Sequence, residues 1–374
     1  MDHRKPRVAG GKMIPLFKVH RPKNIGQKIE EVFESGFVTE GKYSDEFEKK
    51  FSSFIDNKNT CLVNSCTSAL TLAYHVAELK PGDEVITTAM TCMATNEPLH
   101  QTGAKLVFAD IDPRTGNIDP DSVRKKVNEK TKLIVGVHWA GQPFDIDAIS
   151  SIAKEGNIKV VEDAAHALGA SYDGKRIGSH SDFVCFSFQA IKHMTTVDGG
   201  SVSCLSKADD ERIRKLKWFG LDRNFTGGSR WEQDITECGY KMHMNNLNAV
   251  IGLEQMKHVD SIVDRHISNG RFYDENILNE KVTKLVQAPK AQSSYWIYSL
   301  LVEDREDFKK YMAENGISTD AVHKRNDLYS VFKDCRSEDL KGLQEFESKL
   351  MNVPVGWWLS GDDRERIVNV VNNY

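Results

Sequence analysis

From about residue 60 the chain alternates short apolar runs with stretches whose apolar residues recur every three or four positions. The runs near 61–64, 84–87, 105–109, 132–138 and 158–162 are rich in Val, Ile, Leu and Phe, and their length predicts strands. Between them the spacing predicts amphipathic helices near 68–78, 95–101, 120–127 and 145–154. Gly82-Asp83, Asp112-Pro113 and Asn157 punctuate the connections. Such alternation implies βαβ units and a mainly parallel sheet covered on both faces. Two more strands, 183–188 and 201–204, are expected on either side of a polar loop.

Beyond residue 206 the pattern becomes helical, at 208–217, 244–256 and 259–277, with a loop at 220–238 that contains Gly227-Gly228. A strand is expected over 295–302, a helix over 305–314 and a closing helix from about 361; the stretch 25–56 also reads as helical. A chain of 374 residues suits one large and one smaller domain. The predicted fold class is α/β, with a large domain over 14–255 and a small α+β domain over 256–374.

A net charge of −4 provides no general attraction to nucleic acid or to an anionic membrane. Any phosphate binding must therefore use local cations and backbone N–H groups. The seven cysteines are odd in number, form no C-x-x-C pair and lie mostly in apolar stretches, which reads as reduced, buried thiols in a cytoplasmic protein. No apolar run approaches the roughly 18 residues of a membrane span. The first dozen residues are basic and include Gly10-Gly11, so they are expected to be a solvated lead-in rather than a signal peptide.

The candidate chemistry lies in Val160-Val161-Glu162-Asp163-Ala164-Ala165-His166 and, about 30 residues later, Ser187-Phe188-Gln189-Ala190-Ile191-Lys192-His193-Met194-Thr195-Thr196-Val197-Asp198-Gly199-Gly200. An apolar strand ending in an acid, then a strand ending in Ser followed by Lys, is what pyridoxal phosphate chemistry needs. The Lys amine forms a Schiff base with the cofactor aldehyde, and the acid keeps the pyridine nitrogen protonated. The Ser hydroxyl and nearby N–H groups can hold the phosphate. Singly these residues are ordinary: a Lys after a strand is usually solvated, and an Asp at a strand end usually caps a helix.

The two segments resemble the DegT/DnrJ/EryC1/StrS sugar aminotransferases, whose pattern runs E-D-A-A-(Q/H/E)-A-x-G-A and then S-F-x-x-x-K-x-(L/I/M)-T-T-G-E-G-G. Glu162 to Ala170 and Ser187 to Gly200 stand in matching register, with Val197 at the usual Gly and Asp198 at the usual Glu. Val38 to Tyr43 and Phe47 to Phe51 match the family's V-T-x-G-x-Y turn and F-E-x-x-F stretch. The resemblance spans about 14 to 370 and implies a fold-type I architecture, an obligate homodimer and pyridoxal 5′-phosphate. It places Lys192 at the Schiff-base position and Asp163 at the ring nitrogen.

The family's N-G-T-x-A-L stretch falls on Asn64 to Leu70, where Cys66 stands at a common Gly; this implies phosphate contacts by Cys66, Thr67 and Ser187. Without the family the same segment is simply a capped helix start. Cys92 takes the place where relatives carry an aromatic ring, so Cys92 or Met93 can pack on the cofactor face through sulfur or serve only in packing. Lys241, in a G-(F/Y)-(N/K) loop, corresponds to the group that reaches the partner subunit's cofactor phosphate. His166 is expected at the ring edge or at Lys192. His138 and Trp139 match an active-site loop. Arg223, His323, Lys324 and Arg325 are candidate substrate contacts for a nucleotide diphosphate or, equally, surface groups. Trp357-Trp358 can stack a sugar or cement the small domain. No His, Cys and Asp spacing suggests a metal.

The resemblance implies transfer of an amino group from an amino acid, with L-glutamate expected, to a keto sugar that is expected to be nucleotide-linked. Rival readings are transamination of a cyclitol or other ketone, and dehydration of a 4-keto-6-deoxy sugar. Members of the dehydratase kind replace the Lys by His, and His193 is adjacent to Lys192. A regulator without turnover is the reading from another class. The combined presence of Lys192, Asp163 and Ser187 argues against it.

Overall fold

A computed structural model describes residues 13–374, so the expected lead-in lies outside the described residues. The large sheet is built from β1 (Thr60–Val63), β2 (Glu84–Thr88), β3 (Lys105–Ala109), β4 (Thr131–Val137) and β5 (Lys159–Asp163). After a small hairpin, β6 (Ser171–Tyr172) and β7 (Lys175–Arg176), it is completed by β8 (Phe183–Ser187) and β9 (Gly200–Cys204). The strand order is β1-β9-β8-β5-β4-β2-β3. Only β9 runs antiparallel to its neighbours, pairing with both β1 and β8. The strands are almost wholly buried, as their unbroken apolar runs require of a sheet covered on both faces.

The connecting helices begin at polar caps that the sequence supplies. Ser65 accepts the Ser68 N–H at the start of the helix Cys66–Val76, and Asp145 accepts the Ala148 N–H before Ile146–Gly156. Asn157, left-handed at φ 50°, ends the latter helix. The register Val63↔Gly200 and Ser187↔Gly200 brings the ends of β1 and β8 to one edge. Val137↔Asp163 and Asp163↔Cys185 align β4 and β5 with that edge. Ligands gather at such a carboxyl edge in open α/β sheets. Behind it, Phe51 meets Phe186 and Phe188 edge to face at 5.5 and 5.0 Å, so the helix Lys42–Phe54 braces the segment that leads into Lys192.

A second sheet consists of β10 (Val282–Lys284), β12 (Tyr298–Val302) and β13 (Leu350–Val353), while β11 (Ala291–Gln292) pairs with β6. The helices Arg305–Glu314, Lys341–Lys349 and Gly361–Asn372 accompany it. The structure departs from the sequence reading in several places. The stretch 25–56 is two helices, Ile25–Glu34 and Lys42–Phe54, separated by a turn with Gly36 at φ 68°. The helix Lys341–Lys349 and β13 were not anticipated. Near the start of the described residues, Ile14 bridges Ile317: its N–H donates to the Gly316 carbonyl at 2.9 Å, and its carbonyl accepts the Ser318 N–H at 3.0 Å.

The strand expected from 295 begins only at Tyr298. Tyr295 is left-handed at φ 47°, a strained conformation for an aromatic residue. Its ring covers Gly270, where an added Cβ would come within 2.4 Å, so packing fixes the bend. All seven cysteines are free, but Cys92 and Cys238 are exposed and Cys335 is half-buried, unlike the buried thiols expected. Among the described residues no helix is long and apolar enough to cross a membrane, and no group of three His, Cys, Asp or Glu could hold a metal.

Candidate active site

Asp163 ends β5 and is 3 % exposed. One carboxylate oxygen accepts the Ala165 N–H at 3.0 Å, and the other accepts the Thr95 hydroxyl at 2.7 Å. Thr95 is in turn 2.7 Å from the Thr91 hydroxyl, which makes a short polar chain behind the acid. Burial raises the Asp163 pKa, while the Thr95 and Ala165 bonds and the charge of Lys192 pull it back. A carboxylate so placed is suited to a cationic N–H partner.

Lys192 follows β8 in a turn closed by its own N–H on the Gln189 carbonyl at 3.0 Å. Its Nζ lies 3.8 Å from the centre of the Trp296 ring. Burial lowers its pKa to about 8, opposed by Cys92, Asp163 and Cys66, the groups that share its surroundings. His166 stacks on Trp296 with centroids 3.8 Å apart and 13° between planes, and His323 lies parallel to His166 at 5.4 Å. Burial first, then the Lys192 charge, keeps both imidazoles neutral, with His323 pushed down to about 3 and His166 well below its ordinary value. His166 Nδ1 and His323 Nε2 are buried without a hydrogen-bond partner among the described residues.

At the other end lies the start of the helix Cys66–Val76. Ser65 takes the Ser68 and Ala69 N–H groups through its hydroxyl and carbonyl, so the Cys66 and Thr67 N–H groups are those left for a ligand. Cys66 is buried, and burial pushes its thiol pKa up, so it is a neutral packing group here. Gly200 lets this turn approach: an added Cβ would lie 2.6 Å from the Cys66 nitrogen and 2.7 Å from the Phe186 carbonyl. Gly200→Ala should cost about 1–3 kcal/mol of stability through overpacking. It should also weaken cofactor affinity, as checked by thermal melting and by cofactor titration of the variant.

The other candidate residues separate clearly by position. Ser187 ends β8, 7 % exposed, with its hydroxyl accepting the Gln189 N–H at 3.3 Å. Cys92 is the exposed residue at the start of the helix Met93–Gln101, close enough for Lys192 to sense it. Lys241 stacks its ammonium 3.8 Å over Trp218.

His138 is fully buried, with both ring nitrogens paired. Its Nδ1 accepts the Phe144 N–H at 3.2 Å, so Nε2 carries the proton and donates to Glu162 at 2.8 Å. Trp139 is 1 % exposed, with its N–H on Ser299. These two residues wall the site from behind and offer substrate no free group. Arg223 is held by Glu40, and Arg325 is held in a fork by Asp327.

The sequence reading missed three contributors. Thr95 lay hidden in a helix start, and Trp296 lay in an apolar run read as strand. Asn326 donates its N–H to the Ala89 carbonyl and its amide to the Thr91 carbonyl, pinning the turn that carries Cys92.

These residues fit pyridoxal phosphate. A buried acid, an unpartnered imidazole nitrogen, a helix start with free N–H groups and a lysine of lowered pKa meet at one sheet edge. Comparisons with known proteins agree. The chain is similar to a solved structure of AtS13 from Actinomadura melliaura, at 35 % identity and a TM-score of 0.94, covering 98 % of this chain and 100 % of that one. It is similar to the sugar aminotransferase CalS13 from Micromonospora echinospora, at 33 % identity and a TM-score of 0.93, covering 96 % and 100 %. It is 27 % identical to the GDP-perosamine synthase of Vibrio cholerae over 369 residues, 97 % of this chain and 99 % of that one. The architecture is that of fold-type I pyridoxal-phosphate enzymes. With residues 20–372 matching its profile, the chain belongs to the DegT/DnrJ/EryC1/StrS aminotransferase family, whose members are pyridoxal-phosphate-dependent sugar aminotransferases.

Proposed function

We propose that this enzyme moves an amino group from L-glutamate to a nucleotide-linked keto sugar in two successive half-reactions, as a homodimer in the cytoplasm. The observation that carries the transaminase reading is the placement of two adjacent side chains. Lys192 holds its amine 3.8 Å from the Trp296 ring centre, near enough to Asp163 and His166 for its charge to act on both. His193, the residue a dehydratase would need in that place, is buried and donates to the Ser294 carbonyl at 2.9 Å.

When bound, pyridoxal phosphate supplies an aldehyde that can link an amine and a ring that accepts electrons as a Cα–H bond breaks. Asp163 would hold the ring nitrogen protonated. His166 Nδ1 would meet a polar atom at the ring edge, and Cys66, Thr67 and Ser187 would hold the phosphate, with Cys92 against the ring face. Lys192 would anchor the aldehyde and then, once free, take the proton from the substrate Cα and deliver it within the site. Neutral His323, with an open Nε2, is suited to a sugar hydroxyl. Lys241 is assigned to the partner subunit's cofactor phosphate.

The nucleotide-linked acceptor draws its support from the similarity to GDP-perosamine synthase. Arg223 and Arg325 are each paired with a carboxylate, so meeting a diphosphate would weaken those ion pairs. The test is to convert the enzyme with excess L-glutamate, remove the donor and offer keto sugar nucleotides. The original cofactor absorbance should return with a nucleotide-linked sugar. Its return with a cyclitol ketone and with no sugar nucleotide would overturn the proposed acceptor.

A further inference from the structure

Trp296 is held in place from three sides. Its indole N–H donates to the carbonyl of Ile191, the residue before Lys192, at 2.9 Å. Behind it, two buried histidines grip the chain: His193 Nε2 donates to the Ser294 carbonyl at 2.9 Å, and His266 Nδ1 donates to the Tyr295 carbonyl at 2.8 Å. The two imidazoles lie 4.5 Å apart, and burial keeps both neutral, so each serves as a fixed donor. Phe17 covers Trp296 at 5.2 Å. The left-handed Tyr295 between the gripped carbonyls is the strained bend that turns the indole out of the strand and into the site. The indole so held carries two groups of the site: His166 stacks on it at 3.8 Å, and the Lys192 ammonium sits 3.8 Å from the ring centre.

We propose that Trp296 is a positioning residue for Lys192: its indole face receives the lysine side chain whenever that amine is free of the cofactor, and the His193–His266 pair keeps the face in register. A lysine released from the cofactor has four rotatable bonds and would otherwise scatter through the site. The indole offers a cation a favourable resting surface where water is scarce. The lysine thus stays within reach of the reacting carbon between its two tasks, anchoring the cofactor and moving the proton.

The inference rests on Lys192 being the cofactor-linking residue, so that point is read separately, by borohydride trapping and peptide mapping in every variant. The test itself uses the cofactor-free protein. Lys192 labelling by an amine reagent such as trinitrobenzenesulfonate, quantified by mass spectrometry, should be slow in wild type. It should accelerate roughly fivefold to tenfold in Trp296→Leu, because both the shield and the cation contact are lost. Trp296→Phe keeps a ring face and should label within about twofold of wild type. In the loaded enzyme, Trp296→Leu should lower kcat while leaving KM for glutamate nearly unchanged, and Trp296→Phe should restore most of kcat. If Trp296→Leu fails to fold, His193→Gln tests the same support, since a looser indole should raise Lys192 labelling. Equal Lys192 labelling in wild type and the variants, with trapping still on Lys192, would overturn the role of Trp296 and leave the aminotransferase reading intact.

Discussion

Lys192→Ala is expected to bind pyridoxal phosphate without a borohydride-reducible linkage and to lose activity by roughly ten-thousandfold, the scale of removing a positioned proton carrier. In the wild-type protein, reduction followed by peptide mapping should place the cofactor on the peptide containing Lys192, and labelling of another lysine would overturn the assignment. The lowered pKa gives this prediction a pH dependence. With a pKa of about 8, about one tenth of Lys192 is the neutral amine at pH 7, against about 0.03 % for an ordinary lysine near 10.5. Cofactor uptake into the covalent form should therefore climb as pH rises and level off above about 8. A rate still climbing tenfold per pH unit at pH 9 would show that burial does not lower this amine.

The alternation of the large sheet could be read directly because parallel strands buried on both faces must be apolar throughout, as Leu133 to Val137 and Val160 to Val161 are. Asp163 and Lys192 were legible as candidates for a related reason: Asp163 closes a strand and Lys192 follows one, which fixes the edge each reaches, and the surrounding motif fixes the register. Side-chain direction was not legible. His138 sits in the right loop, yet its ring turns inward to Glu162, a partner from the neighbouring strand. Arg223 reads as a free cation until Glu40, far back in the chain, is brought beside it. The partner of Arg325, by contrast, is Asp327, two residues on.

Trp296 is the most instructive miss. Nothing local in Ser294-Tyr295-Trp296 announces a left-handed residue. The bend is accommodated because Gly270 and Gly141, both far earlier in the chain, leave room for the Tyr295 ring and for the Ser294 hydroxyl and Trp296 backbone. Periodicity reports which residues are buried; it carries no record of a bend imposed by contacts distant in sequence.

Asp163→Asn is the second large effect, and its value lies in changing charge while sparing shape. The Ala165 N–H still finds an oxygen at the same place. The amide nitrogen that replaces the other oxygen can donate to the Thr95 hydroxyl if the Thr95–Thr91 bond reverses its direction, which two hydroxyls allow. The fold should therefore survive. The folded-state pKa of Asp163 lies above its unfolded value, so the folded state binds more protons in the window above about 3.8, and ionisation at neutral pH works against folding. The neutral isostere removes that cost, and the cofactor-free variant should melt no lower than wild type at pH 7. The catalytic consequence runs the other way. Without the carboxylate the ring nitrogen loses the charge that keeps it protonated, and electron withdrawal from the breaking Cα–H bond weakens. A loss of about 3 kcal/mol of such stabilisation is roughly a hundredfold in rate. Using Cα-deuterated glutamate, the donor half-reaction should show a larger isotope effect in the variant, because proton removal becomes the slow step. A variant that turns over near the wild-type rate, with an unchanged isotope effect, would reduce Asp163 to an acceptor for the Ala165 N–H and leave ring protonation to another group.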